Sequence, residues 1–145
     1  MARIRDIIQG KAPDTIGPEA TVLEAARKMT AGKVGAVAVI EKERLVGIFS
    51  ERDLMTRVVA QGLDPASVKV GSVMTQDLVV ADAEESAEAC LNRMKQLHVR
   101  HLPVVSDNKL VGMLSVRNLL MTVASAKDEE LKWLTEYVYY TPGRP

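Results

Sequence analysis

Between Val34 and Ile40 the chain reads VGAVAVI, an unbroken run of small and β-branched apolar residues. A run of this length and composition predicts a buried strand. Four polar residues follow, Glu41 to Arg44, and then a second apolar run, Leu45–Phe49. Two short apolar runs across a polar turn predict a β-hairpin. The segment Ser50–Ala60 predicts a helix, closed by Gly62. Upstream, a short extended piece near Thr15–Ile16 precedes Thr21-Val-Leu-Glu24. That spacing is a capping box, with Thr21 as N-cap and Glu24 three residues on. Ala25, Ala26 and Met29 continue one helical face, and Gly32 predicts its stop. The order is therefore strand, helix, strand, strand, helix.

The same order returns. Leu78–Ala81 predicts a strand, Ser86 an N-cap and Ala87–Leu97 a helix. Leu102–Val105 and Leu110–Leu114 form a second hairpin across Ser106 to Lys109, and a helix starts after Ser115. Val34–Met55 and Val99–Leu120 align without a gap at a shift of 99 − 34 = 65 residues. Eight pairs are identical, and they include Gly47/Gly112, Ser50/Ser115 and Arg52/Arg117. A repeated core needs only apolar residues, so the repeated polar positions ask for a further reason. Pro65 and Gly71 punctuate a short connection. A unit of about 60 residues buries too little surface to be stable alone, which predicts one compact double unit. The expected divisions are 4–62, 63–125 and a C-terminal helix and tail at 126–145. In that helix Leu131, Leu134 and Val138 share one face, with Trp133 and Tyr137 on an adjoining stripe. It either packs back on its own domain or contributes large aromatics to a dimer interface.

Composition narrows the partners. The 145 residues carry 19 basic and 19 acidic side chains and no net charge, which disfavours nucleic acid. Cys90 is the only cysteine, so no intrachain disulfide forms, and a reducing compartment fits. The apolar runs are strand-length, too short for a membrane, and MARIRDIIQGK lacks the apolar core of a secretory signal. The expectation is a cytoplasmic protein.

The polar motif has two readings that are compatible. Ser50 and Asp53 have the spacing of an N-cap and its partner at the third helical position, as do Ser115 and Asn118. A helix N-terminus also offers free N–H groups to a phosphate. A carboxylate such as Asp53 can accept both protons of a ribose cis-diol, whereas the amide of Asn118 can accept one. Gly47 and Gly112 serve either close approach to a ligand or tight packing. Nothing points to catalysis. Cys90 aligns with Ala25 on a helix face, and His98 and His101 lack metal-ligand spacing. No Gly-x-Ser-x-Gly or P-loop is present. Glu51 and Asp53, two apart on a helix, point away from each other.

GIFSERDL at Gly47–Leu54, GMLSVRNL at Gly112–Leu119, Val-Met-Thr at 73–75 and Arg-His-Leu-Pro-Val at 100–104 carry a resemblance. The chain resembles the cystathionine-β-synthase (CBS) domain pair, or Bateman module, and more narrowly the small stand-alone bacterial pairs. The resemblance implies an α+β fold of two β-α-β-β-α units packed pseudo-symmetrically through their sheets. It implies adenosine-nucleotide sites in the clefts between the units, and dimerisation into a flat disc. The ligand class is AMP, ADP, ATP or NAD, and the role regulatory signal transduction through a partner in trans. By the same resemblance Ser50 and Asp53 contact the nucleotide first, and Ser115 and Asn118 second. Arg100, His101, Arg52, Arg117 and Lys33 are candidates for phosphate. Thr15 and Val80 begin the edge strands beside the base, and Ile16, Val37 and Leu102 form an apolar slot for it or pack in the core. The alternatives are a constitutive dimeric scaffold with vestigial sites, a nucleic-acid-binding domain and an undetected enzyme. Asp53 against Asn118, and Gly35 against Arg100, predict two clefts that differ in binding.

Overall fold

The computed structural model describes residues 2–8 and 11–124. The expected helix and tail at 126–145, with Leu131, Trp133, Leu134, Tyr137 and Val138, lie outside the described residues. The two hairpins are β2 (Ala36–Glu41) with β3 (Arg44–Ser50), and β5 (His101–Ser106) with β6 (Lys109–Ser115). Each closes through two residues with positive φ, Lys42 and Glu43 at 50° and 65°, and Asp107 and Asn108 at 51° and 63°. Paired left-handed residues give the turn whose twist suits a tight hairpin. Asp and Asn tolerate that conformation better than Lys and Glu do. Two short strands, β1 (Thr15–Ile16) and β4 (Ala81–Asp82), add in parallel to β2 and β5. The result is two three-stranded sheets, β1-β2-β3 and β4-β5-β6, with β3 and β6 in contact between the repeats. Both hairpins slip register at matching places, Val39/Ile40 and Val104/Val105.

The helices show why the chain folds this way locally, and where local signals mislead. In α2 (Val22–Gly32) the Thr21 hydroxyl accepts the Glu24 N–H at 3.2 Å, and in α5 (Ala87–Leu97) Ser86 accepts from Ala89 at 3.2 Å. Each such cap contributes about 1 kcal/mol. Gly32 does not stop α2. The stop is Lys33 at φ 55°, matched 65 residues on by His98 at φ 55°. Gly32 is small because the Asp14 carboxylate lies 3.0 Å from where its Cβ would stand. The strand expected from Val34 begins at Ala36, because the Val34 N–H bonds back to the Met29 carbonyl at 3.0 Å. The strand expected at 78–81 starts only at Ala81, since the Val80 carbonyl accepts from the Arg93 guanidinium at 2.9 Å.

The helix expected at 50–60 is a single turn, α3 (Glu51–Asp53), followed by a π-helical stretch Leu54–Val59. Thr56, Val58 and Val59 are β-branched and crowd an α-turn. A wider turn relieves that crowding, and Ala60 bonds to the Met55 carbonyl at 2.9 Å. The counterpart α6 (Val116–Ala124) is a regular helix.

Two short helices had no sequence signal of their own, α1 (Ile4–Ile8) and α4 (Val70–Val73). They are the key to the cores. Ile4 is fully buried in the second repeat's cluster, with Cys90, Met94, Leu102 and Leu114. Val70, Val73 and Met74 are buried in the first repeat's cluster, with Val22, Val37, Val39 and Phe49. The start of repeat 1 thus completes the core of repeat 2, and the start of repeat 2 completes the core of repeat 1. Backbone bonds fix both crossings: Arg5 N–H to the Ala83 carbonyl at 2.8 Å, and Val70 N–H to the Ala20 carbonyl at 2.8 Å. Neither core closes without its borrowed segment.

Gly47 marks the tightest of these crossings. A Cβ there would sit 2.5 Å from Met74 Sδ and 3.0 Å from the Thr75 carbonyl. The close approach at Gly47 is therefore to packing, and Gly112 likewise meets Ile8 at 2.9 Å. Gly47→Ala should destabilise the fold by about 1–3 kcal/mol, the usual cost of overpacking. Thermal denaturation measures it, and an unchanged midpoint would contradict this packing.

Candidate ligand-binding cleft

A cavity of about 540 Å³ opens between the repeats. Repeat 2 contributes Arg100, His101, Ser115, Arg117 and Asn118, and repeat 1 contributes Lys33, Gly35, Ala36 and Glu51. Ile7, Ile8 and the stretch 11–14 form a further wall. Ser115 caps α6: its hydroxyl accepts the Asn118 N–H at 3.0 Å and donates to Asn118 Oδ1 at 2.6 Å. That places the free N–H groups of the α6 N-terminus at the cavity. Lys11, Lys33, Arg100 and Arg117 line it against only Asp14 and Glu51. The surplus of cations favours an anionic guest.

His101 is half-buried, with its ring against Gly35. A Cβ on Gly35 would stand 3.0 Å from His101 Cε1 and 3.3 Å from the Glu51 carboxyl carbon. Gly35 therefore makes room for the histidine. Burial lowers the His101 pKa from its ordinary 6.5, opposed by the nearby Glu51 carboxylate and aided by Arg100.

The repeat-1 motif is placed differently. Ser50 caps α3 in a complete capping box with Asp53. Asp53 is 5% exposed and both of its oxygens accept hydrogen bonds from the protein. Oδ2 accepts from the Ser50 N–H at 3.0 Å and the Ser50 hydroxyl at 3.1 Å. Oδ1 accepts from the Thr75 hydroxyl at 3.0 Å and lies 3.8 Å from Arg57 Nε. Neither Ser50 nor Asp53 lines the cavity. Arg52 is also occupied, donating to the His98 carbonyl across the repeats at 3.3 Å. The cavity therefore lies at the Ser115–Asn118 motif, whereas the Asp53 carboxylate is buried and bonded to the protein itself.

The expected base slot is not assembled. Val37 and Leu102 are fully buried in the two cores, and Ile16 packs against the first. The Thr15 carbonyl accepts from Lys28, and the Val80 carbonyl from Arg93. Sequence reasoning missed Lys11, Asp14 and Glu51. A signal existed, since the 65-residue shift carries Val73–Thr75 back to residues 8–10 and so marks the stretch beside them. Cys90 is buried, and its thiol donates to Glu85 Oε2 at 3.1 Å. Burial, then the Glu85 bond, pushes its pKa to about 12, so it is an inert core thiol. Among the described residues no three His, Cys, Asp or Glu side chains cluster as a metal site, and no helix is long and apolar enough to cross a membrane.

The lowered pKa of His101 has a consequence for stability. The unfolded chain binds a proton at this histidine as pH falls through about 6.5, while the folded chain resists. His101 should cost stability progressively below pH 6.5, levelling off once pH passes its lower folded value. Urea unfolding of the protein and of His101→Asn at pH 7.5 and 5.5 isolates this part. The variant should lose less stability on acidification, and equal losses would contradict it.

Comparison with known proteins places the architecture. The CBS domain model matches residues 4–60 and 70–125. The mitochondrial CBS domain-containing protein CBSX3 of Arabidopsis thaliana is 31% identical over 146 residues, covering 93% of this chain and 71% of that one. YhcV of Bacillus subtilis, also CBS domain-containing, is 34% identical over 125 residues, covering 86% and 88%. A CBS domain protein of Pyrobaculum aerophilum, solved in complex with AMP, superposes with a TM-score of 0.74 at 25% identity, covering 86% and 99%. Two sheets of one topology, two matched hairpins and two family matches agree: the chain belongs to the CBS domain family, as a tandem pair.

Proposed function

We propose that the chain is a regulatory module that binds a phosphorylated adenosine ligand, of the class AMP, ADP, ATP or NAD, in the Ser115–Asn118 cleft. The observation that carries this reading is the cavity between the repeats, walled by four cations and opened by the α6 N-terminus. Its size falls in the range of about 300–1,000 Å³ usual for small-molecule sites. Arg117 and Arg100 have no side-chain hydrogen bond or ion pair among the described residues, so both are available to phosphate. Ser115 and the first N–H groups of α6 suit the same anion. Asn118 accepts one ribose hydroxyl and lacks the charge to hold both. The AMP complex of the Pyrobaculum aerophilum relative supports an adenosine ligand.

A ligand that touches both repeats shifts their packing only if it binds one arrangement better than another. The readout proposed is energy or redox sensing that acts on a partner in trans. Homodimerisation is part of the proposal, supported by exposed apolar residues on the outer helices: Met55 at 60%, Val59 at 62% and Met121 at 70%. The scaffold alternative is favoured for one half only, by the occupied state of Asp53.

Titration calorimetry with AMP, ADP, ATP and NAD tests the proposal. At least one should bind, and Arg117→Ala should weaken it about 10- to 100-fold, the worth of one charge-assisted bond. No binding at millimolar concentration, or affinity indifferent to Arg117, would sink it.

A further inference from the structure

The pseudo-symmetry permits a comparison of the two clefts residue by residue. A shift of 65 residues carries Asp53 to Asn118, Arg52 to Arg117 and His98 to Lys33. It also carries Thr75 to Gly10 and Arg57 to Thr122. At the Ser50–Asp53 motif, the Thr75 hydroxyl donates to Asp53 Oδ1 at 3.0 Å, and Arg52 reaches across to the His98 carbonyl at 3.3 Å. Thr75 is held there by its backbone, which exchanges bonds with Ile48 at 2.8 and 3.0 Å. Arg57 secures the same segment by donating to the Val73 and Met74 carbonyls at 3.2 and 2.8 Å. Among the described residues the open cleft has no equivalent equipment: Thr122 has no guanidinium and Asn118 no charge, and in the sequence a glycine matches Thr75. Arg117 lines the cavity beside Lys33 and makes no bond to its carbonyl.

Resting on the adenosine-ligand reading, we infer that Thr75 and Arg52 are exclusion residues that keep a second, latent adenosine-ligand cleft shut. The native chain then takes up one ligand, and freeing these two latches turns it into a two-site binder with Asp53 as the carboxylate for the new ribose. The chemistry of the substitution is direct. Thr75 presents one hydroxyl to Asp53 at the place where a ribose diol would present its own. A buried carboxylate accepts that hydroxyl whether it comes from the protein or from a sugar, but not from both at one lone pair. Arg52 adds the second bar, tying the helix that carries Asp53 to the end of α5 in the other repeat. The conserved offset of the remaining motif, Gly-x-x-Ser-x-Arg, shows that both halves share one design, and the latch residues are where they part.

Calorimetric stoichiometry with AMP on the full chain tests this. The native protein and Thr75→Ser should bind one AMP per chain. Arg52→Ala combined with Thr75→Ala should bind two, and adding Asp53→Ala should remove the second. One AMP per chain in a double variant that still melts cooperatively overturns the inference, as does two in the native protein. A chain that binds no AMP in any version overturns the functional reading instead. The latch is then read by hydrogen exchange at the Thr75 amide, bonded to the Ile48 carbonyl at 2.8 Å. Thr75→Ala should speed it about tenfold as the anchor to Asp53 is lost, and an unchanged rate overturns the latch.

Discussion

Asp53 is the one charged side chain buried among the described residues, and much of the structure is arranged to satisfy it. A buried carboxylate without hydrogen-bond partners is costly. Its partners come from three places in the chain: Ser50 at the end of β3, Arg57 on the π-helical turn, and Thr75 at the start of the second repeat. One carboxylate therefore holds the hairpin, the following helix and the connection in a single register. That connection also delivers Val70, Val73 and Met74 to the first core. The clamp and the core reinforce each other, because neither is complete unless the segment at 70–75 lies where it does.

The second repeat meets the same packing requirement by other means. Its borrowed segment, α1, seats Ile4 in the core and Ile8 against Gly112, and no charged side chain is buried there among the described residues. With Asn118 at the surface and Arg117 without a side-chain partner among the described residues, the equivalent space stays open as a cavity. Duplication gave two clefts of one plan. The burial of a carboxylate in one and its replacement by an amide in the other separates a structural clamp from the proposed binding cleft.

Much of this was legible in the sequence. The 65-residue repeat, the hairpins, the α5 boundaries and the capping pairs all follow from local patterns, and the asymmetry at Asp53/Asn118 was visible as a substitution. The partner that the carboxylate takes in the fold was not. A carboxylate in a Ser-x-x-Asp motif has the same sequence signature whether it faces a ribose or a neighbouring threonine, and the donor, Thr75, lies 22 residues away. The burial of Val37 and Leu102 was equally ambiguous, since a strand in the middle of a sheet is apolar on both faces. The π-helical turn and the role of Gly32 depend on tertiary neighbours, such as Asp14, that no local pattern names.

A crystal structure of the chain grown with excess AMP tests the central claim most directly, because it reports both clefts at once. The account predicts AMP between the repeats with its phosphate near Ser115 and Arg117, and the Thr75 hydroxyl still bonded to Asp53. AMP seated on Asp53, with the Ser115–Asn118 cleft empty, would contradict it.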